Sequence, residues 1–519
     1  MILVTLAFAA LILGLGLTMA EGSRAAPGGH SGGRPNIVLV MTDDQAMSQM
    51  SAEVMPRITK YLGKRGTQFD HAYLTTPLCC PSRATLLTGQ YGHNNGVLRN
   101  AYPRLKYKRN VLPVWLRRSG YRTIHIGKFL NAYGRGDAYK PAPGWSEWHS
   151  MIWKREVAYY DYNFSVNGRR VHHGHDPSDY APHVFMRTAE RLVHRYAPRR
   201  RPLYLELDEV TPHPIRRGVP LSECNPPPDP RDEGLFKDAQ LPQPPAFNES
   251  DMRDKPSFMR VLPLLSKNQI DRMTRRYRCS LAALRSVDRT VGRLVKELKQ
   301  LGELKRTVFI FYTDNGTFYG EHRIYGGKLN PYEEAASTPL FMRVPARYLH
   351  GRHPVAHVTQ PVANIDFAPT IRNLAHAQPC RAPRHCRRMD GRSLLGLIAG
   401  KNPPWAANRP IGIELDEPKA KDNHGVCLYR GVRVSGQVLI RHIRIKKPGS
   451  ARCVKINQWE RYNLRVDPYE LHNLCFGGDQ GSCPNDASQQ RLYEFLAHIK
   501  DCEGIAGRDP RPRSGHYCG

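Results

Sequence analysis

Four short runs of apolar, largely β-branched or aromatic residues constrain the fold first: Asn36-Ile37-Val38-Leu39-Val40, Thr123 to Ile126, Leu203 to Leu207 and Val308 to Tyr312. Such runs have no polar face to offer water, so each reads as a strand buried on both sides, as in a parallel sheet covered by helices. Helical patterns lie between them. The clearest runs from Ser280 to Leu301, where Leu281, Leu284, Val287, Val291, Leu294, Val295 and Leu298 share one face. This alternation predicts an α/β architecture with a large, mostly parallel sheet sandwiched by helices. Ligands of such folds gather beyond the carboxyl ends of the strands. The proline-rich stretch 214–257 reads as a surface excursion, because helical patterning resumes after it. After Pro403-Pro404 the pattern changes, and Gly431 to Ile445 alternates as antiparallel strands do. A main domain at 35–404 and a smaller C-terminal domain at 405–519 are therefore expected.

The chain of 519 residues is long enough to bury a large core. Its N-terminus is apolar from Met1 to Leu17, and Thr18-Met19-Ala20 offers a small-residue cleavage site. This predicts a signal peptide at 1–20 and a flexible leader at 21–34, although no Lys or Arg precedes Arg24. The apolar stretch is short for a membrane span, so stable membrane insertion is not expected. Twelve cysteines fit a secreted or extracytoplasmic chain. With Cys79 and Cys80 set aside, eight of the other ten follow residue 379, so disulfides should concentrate in the C-terminal third. Cys380–Cys386 and Cys475–Cys483 are close pairs, but sequence does not set connectivity. The net charge of +31 favours an acidic substrate or acidic surroundings. No recognised nucleic-acid module accompanies that charge, so nucleic acid is not an expected partner.

The chemistry is concentrated where the strands end. The first strand runs into Asp43-Asp44, and the last into Asp314-Asn315. Adjacent carboxylates at the exit of a buried strand repel unless a cation lies between them. Two such exits supply oxygen ligands suited to a hard cation, Ca²⁺ or Mg²⁺. Cys79-Cys80-Pro81-Ser82-Arg83 opens a helical pattern. A nucleophile there meets free N–H groups and positive dipole, which suits attack on an anionic ester. Arg83 is close enough in sequence to orient it.

The run C-x-P-S-R followed by Ala84-Thr85-Leu86-Leu87-Thr88-Gly89 resembles the signature of formylglycine-dependent sulfatases of the alkaline phosphatase superfamily. Pro35 to Gln45, Phe311 to Gly316, Gly127-Lys128, Glu321 to Glu334 with Lys328, and Tyr462-Asn463-Leu464 with Asp467-Pro468-Tyr469-Glu470 match further segments of that family in order. Other segments, including the doubled cysteine and His93-Asn94-Asn95, resemble the subgroup containing N-acetylglucosamine-6-sulfatases. The resemblance implies an alkaline-phosphatase-like fold and conversion of Cys79 to formylglycine by a formylglycine-generating enzyme. It further implies a Ca²⁺ (or Mg²⁺) held by Asp43, Asp44, Asp314, Asn315 and residue 79. Lys128 and Lys328 would bind the sulfate group, and His213, in Thr211-Pro212-His213-Pro214, would protonate the leaving alcohol. Many members carry a histidine two places after the first lysine, where this chain has Leu130. The base of the second step is then open among His125, His322 and a metal-bound group, with His322 added to the candidate site. The substrate implied is a sulfate ester, in particular a sulfated saccharide such as N-acetylglucosamine 6-sulfate units. The alternatives are a phosphate or phosphonate ester hydrolase of the same superfamily and a catalytically silent binder of sulfated glycans.

Overall fold

The computed structural model describes residues 33–518 except 135–138, 153–157, 216–219, 221–222, 381–385, 419–424, 448–449, 451 and 476–482. The expected signal peptide and nearly all of the leader lie outside the described residues. All four apolar runs form strands, each slightly longer than its apolar run: Asn36–Thr42, Arg122–Gly127, Leu203–Asp208 and Thr307–Thr313. They lie side by side and parallel at the centre of a ten-stranded sheet, with Glu147–Ile152 continuing the parallel set. Antiparallel strands extend both flanks, Leu340–Arg343 and Thr67–Phe69 on one side, Tyr162–Val166 and Arg169–His173 on the other.

The period of two along the first strand divides the core. Ile37, Leu39 and Met41 face one hydrophobic layer with Trp115 and Phe367, while Val38 and Val40 face another with Leu284 and Val291. The second layer is dominated by the helix Lys267–Gln300, which starts well before the apolar face at Ser280. The early start comes from its N-terminus. The Ser266 hydroxyl accepts from the Gln269 backbone N–H and the Gln269 side chain reaches back, a capping box that sequence periodicity does not reveal.

The C-terminal sheet has four antiparallel strands, Ile411–Asp416, Val426–Val434, Gln437–Lys446 and Cys453–Asn463. The two central strands are joined by Ser435-Gly436, both at positive φ, as a two-residue hairpin turn requires. Helix Ala487–Ile499 covers one face through Leu492, Leu496 and Ile499. Contacts join the chain from Arg34 to Gly519 into one compact unit. Five disulfides form, Cys224–Cys279, Cys380–Cys386, Cys427–Cys453, Cys475–Cys483 and Cys502–Cys518. Cys79 and Cys80 are left as buried thiols. Among the described residues, no helix is long and apolar enough to cross a membrane.

Candidate active site

Strand register builds the site. Thr42 lies opposite Thr313, Met41 opposite Asp208, and Asp208 opposite Gly127. The residues that leave the sheet next, Asp43-Asp44, Asp314-Asn315 and Lys128, are therefore brought to one edge. Gly127 is required for this convergence: it has φ +105, and a Cβ there would collide with the Asp208 carbonyl that accepts from Lys128 N at 2.8 Å.

Helix Cys79–Thr88 points its first residue into this edge. Asp43, Asp44, Cys79 and Asp314 each offer a ligand atom, all within 4.8 Å of one another and all buried. Sγ of Cys79 is 3.5 Å from Asp43 Oδ1 and 2.9 Å from Lys328 Nζ. Lys128 pairs with Asp43, and Lys328 with Asp44. His213 Nε2 stands 3.6 Å from Asp44 Oδ2, while its Nδ1 donates to the Pro214 carbonyl at 2.7 Å. The sequence had placed Asp43, Asp44, Cys79, Arg83, Lys128, His213, Asp314, Asn315 and Lys328 at one site, and the structure brings these nine together.

Electrostatics divides the carboxylates. Burial alone would raise Asp43, but Lys128, His213 and Arg83 hold it below the usual carboxylate range. Asp44 is held low in the same way, chiefly by Lys328. Asp314 goes the other way: burial, together with the charge on Asp43, pushes it up to about 6 despite Arg83. Asn315 donates to Asp44 Oδ1 at 2.6 Å, and its own Oδ1 is buried without a hydrogen-bond partner. Three carboxylates and an orphaned amide oxygen on one buried edge suit a hard cation, so the residues fit the implied metal. Burial also pushes the Cys79 thiol up to about 12, outweighing both lysines, so residue 79 as cysteine is a neutral thiol and a weak nucleophile.

Arg83 is the keystone of this charge arrangement. Its Nε lies 2.8 Å from Asp314 Oδ2, one terminal nitrogen donates to the Lys128 carbonyl at 2.6 Å, and the same nitrogen lies 3.4 Å from Asp208 Oδ2. Asp208, with Glu206 and His125, forms a buried cluster that sequence reading passed over. The available signal was Leu203-Tyr204-Leu205-Glu206-Leu207-Asp208, two carboxylates two apart in a strand otherwise apolar. Arg83→Met is expected to destabilise the fold by about 3–5 kcal/mol, because it leaves buried carboxylates unpaired. Urea unfolding measures this. Arg83→Lys should restore little, since an ammonium cannot reproduce the guanidinium fork.

Two expected residues are placed differently. His322 makes no hydrogen bond or ion pair to Cys79, Asp43, Asp44 or Asp314; its Nδ1 is 2.7 Å from Glu249 Oε2, and its Nε2 faces Glu334 at 3.9 Å. His125 faces Asp208 at 3.3 Å and stacks on Trp148, and burial pushes it down to about 3. The position that carries a histidine in many members is filled here by Leu130, packed into the core with Phe129.

A buried cysteine at a helix start, carboxylates that could hold a cation and two lysines able to meet an anion together suit a metal-dependent ester hydrolase on an alkaline-phosphatase-like sheet. The comparisons with known proteins agree. The family model described as Sulfatase matches residues 35–377, and that described as N-sulphoglucosamine sulphohydrolase, C-terminal, matches 320–494. The chain belongs to the sulfatase family. It is 33% identical over 74% of its length to an extracellular sulfatase SULF-1 homolog of Drosophila melanogaster, and spans 33% of that relative. It is 30% identical over 92% of its length, and 85% of the relative's, to an N-acetylglucosamine-6-sulfatase of Capra hircus. A solved structure in complex with its substrate, D-glucosamine-2-N,6-O-disulfate, shares the fold with TM-score 0.70 at 23% identity, covering 89% of this chain and 97% of that one.

Proposed function

We propose that this protein is a secreted, Ca²⁺-dependent sulfuric ester hydrolase that uses formylglycine derived from Cys79 and acts on sulfated sugars such as N-acetylglucosamine 6-sulfate units. In this reading 35–404 carries the chemistry and 405–519 forms the smaller C-terminal part. The observation that carries it is the placement of Cys79, first in its helix and buried between Lys328 and Asp43. Supporting the substrate are the names of the relatives and the net charge of +31. Five disulfides support export.

When present, formylglycine hydrate supplies an oxygen nucleophile at residue 79, and the cation lowers the pKa of that oxygen. The chain's own residues do the rest. Asp43, Asp44, Asp314 and the orphaned Oδ1 of Asn315 would hold the ion. Lys128 and Lys328 supply positive charge to the peripheral sulfate oxygens as charge builds on them. Arg83 holds Asp314 and the Lys128 backbone in place. His213 delivers a proton from Nε2 to the leaving alcohol. In the free site burial pushes it down to about 4, the charges of Asp44 and Asp43 notwithstanding, so it is neutral at pH 7. The anionic sulfate ester entering beside it favours the protonated ring.

Paired assays on a sulfate ester and the matching phosphate or phosphonate ester test the reading. Preference for sulfate is expected, and a strong phosphate preference overturns it. His213→Gln should lower turnover of alkyl sulfates by about 10²–10⁴-fold and that of aryl sulfates with acidic leaving groups far less. Equal losses on both would remove the leaving-group role.

A further inference from the structure

A second constellation lies outside the site just described. His322, Glu334 and Glu470 each offer one ligand atom, and these three atoms fall within 4.8 Å of one another. His322 Nε2, Glu334 Oε2 and Glu470 Oε1 are buried, and none has a hydrogen-bond partner. His322 is wholly buried and Glu470 is 1% exposed.

The other ends of these side chains are pinned. Glu249 Oε2 lies 2.7 Å from His322 Nδ1, and a carboxylate only accepts, so Nδ1 carries the hydrogen and Nε2 presents its lone pair inward. Glu249 is itself held by Lys255 at 3.1 Å. Glu470 Oε2 accepts from the Glu333 backbone N–H at 2.8 Å, which leaves Oε1 for the cluster. The imidazole lone pair and two carboxyl oxygens thus lie in one buried cluster without hydrogen-bond partners. A shared proton does not bridge Nε2 and Glu334 Oε2 at 3.9 Å. A single water has only two hydrogens to offer the three atoms. The nearby cations are already engaged, Lys255 with Glu249 and Asp254, and Arg433 with Glu333.

We propose that His322, Glu334 and Glu470 form a second divalent-cation site, distinct from the catalytic cation, with Glu249 as the positioning residue behind the histidine. One imidazole and two carboxylates suit a first-row transition ion such as Zn²⁺ or Mn²⁺ better than Ca²⁺. The Glu249–His322 pair has the carboxylate–histidine arrangement that orients metal-bound imidazoles. The Glu334 side chain, 17% exposed, provides the entry path. Such an ion would tie the loop after Thr313 to the Asp467-Pro468-Tyr469-Glu470 turn.

The test uses the full chain, stripped with chelator, saturated with Ca²⁺ and then titrated with Zn²⁺. Metal analysis should find Zn²⁺ bound at one site per chain with Ca²⁺ retained, and the unfolding temperature should rise. X-ray absorption at the zinc edge should show a single imidazole. That signal excludes the catalytic cation, whose assigned ligands include no histidine, and the Glu470→Gln variant separates this site from the buried cluster of His125, Glu206 and Asp208. Glu470→Gln should lose the Zn²⁺ and keep the Ca²⁺, and Glu249→Gln should weaken Zn²⁺ binding by about 10–100-fold. No Zn²⁺ uptake by the wild type, a shell without imidazole, or undiminished uptake by Glu470→Gln would each overturn the proposal. Should Glu470→Gln fail to fold, the weakened binding expected of Glu249→Gln makes the same distinction, because Glu249 contacts His322 and not His125.

Discussion

Cys79→Ala is expected to lower sulfate-ester turnover by on the order of 10⁴–10⁶-fold, while the protein stays folded. The loss is large because no neighbour can stand in for residue 79. It is the helix-first residue that Lys328 and Asp43 contact, and its side chain is small enough that truncation leaves little void. Cys80 makes the control. Its Sγ lies 3.8 Å from the Asn131 carbonyl, and it belongs to the hydrophobic core rather than the site. Cys80→Ala should keep turnover within about tenfold of wild type, and any loss should follow stability, at about 1 kcal/mol for a small buried truncation. Peptide mass analysis of the segment around Cys79 supplies the independent check. Exchange of thiol for aldehyde is expected in active protein, and a wholly unmodified thiol in active protein would sink the mechanism. Because burial keeps that thiol neutral, an unmodified Cys79 has no evident route to attack.

Removing the proposed cation is expected to have the second large effect. Chelation should reduce turnover by about 10³-fold or more, and Ca²⁺ should restore it. Without an ion, Asp43, Asp44 and Asp314 are left to Arg83 and the two lysines, the same lysines that the proposed mechanism assigns to sulfate. The pH dependence has a definite sign. Asp314 in the metal-free site is raised to about 6, so below that pH a proton competes with the ion. Calcium affinity should be level above about pH 6 and fall by up to about tenfold per unit below it. Calcium titrations followed by activity and by calorimetry at pH 5 and pH 7 would measure this. Affinity that does not weaken at the lower pH would mean Asp314 is not a ligand.

Much of this was legible because it is local. A buried strand that ends in two acids, a cysteine followed by proline at a helix start, and a histidine between prolines after a core strand are patterns of a few neighbouring residues. Their convergence could be expected from parallel strands alone, since equal register brings their exits to one edge. Arg83 was placed at the site, but its partners were not. Asp314 and Asp208 lie far away in sequence, and no periodicity links them to a helix beginning at Cys79. His322 was misread for a related reason. Its nearness in sequence to Asp314 and Lys328 suggested the catalytic site, but its ring is directed by Glu249 from the proline-rich excursion.

The sequence by itself thus determined the layer architecture, the acidic strand exits and the placing of Cys79 at a helix start, because hydrophobic period and motif spacing are properties of neighbours along the chain. Only the tertiary structure decided what each buried polar group answers to: Arg83 to Asp314 and Asp208, and His322 to Glu249, Glu334 and Glu470. The physical reason is that a charge taken out of water must be compensated within a few ångströms. The chain meets that demand with residues brought together by strand register and helix packing, whatever their separation in sequence.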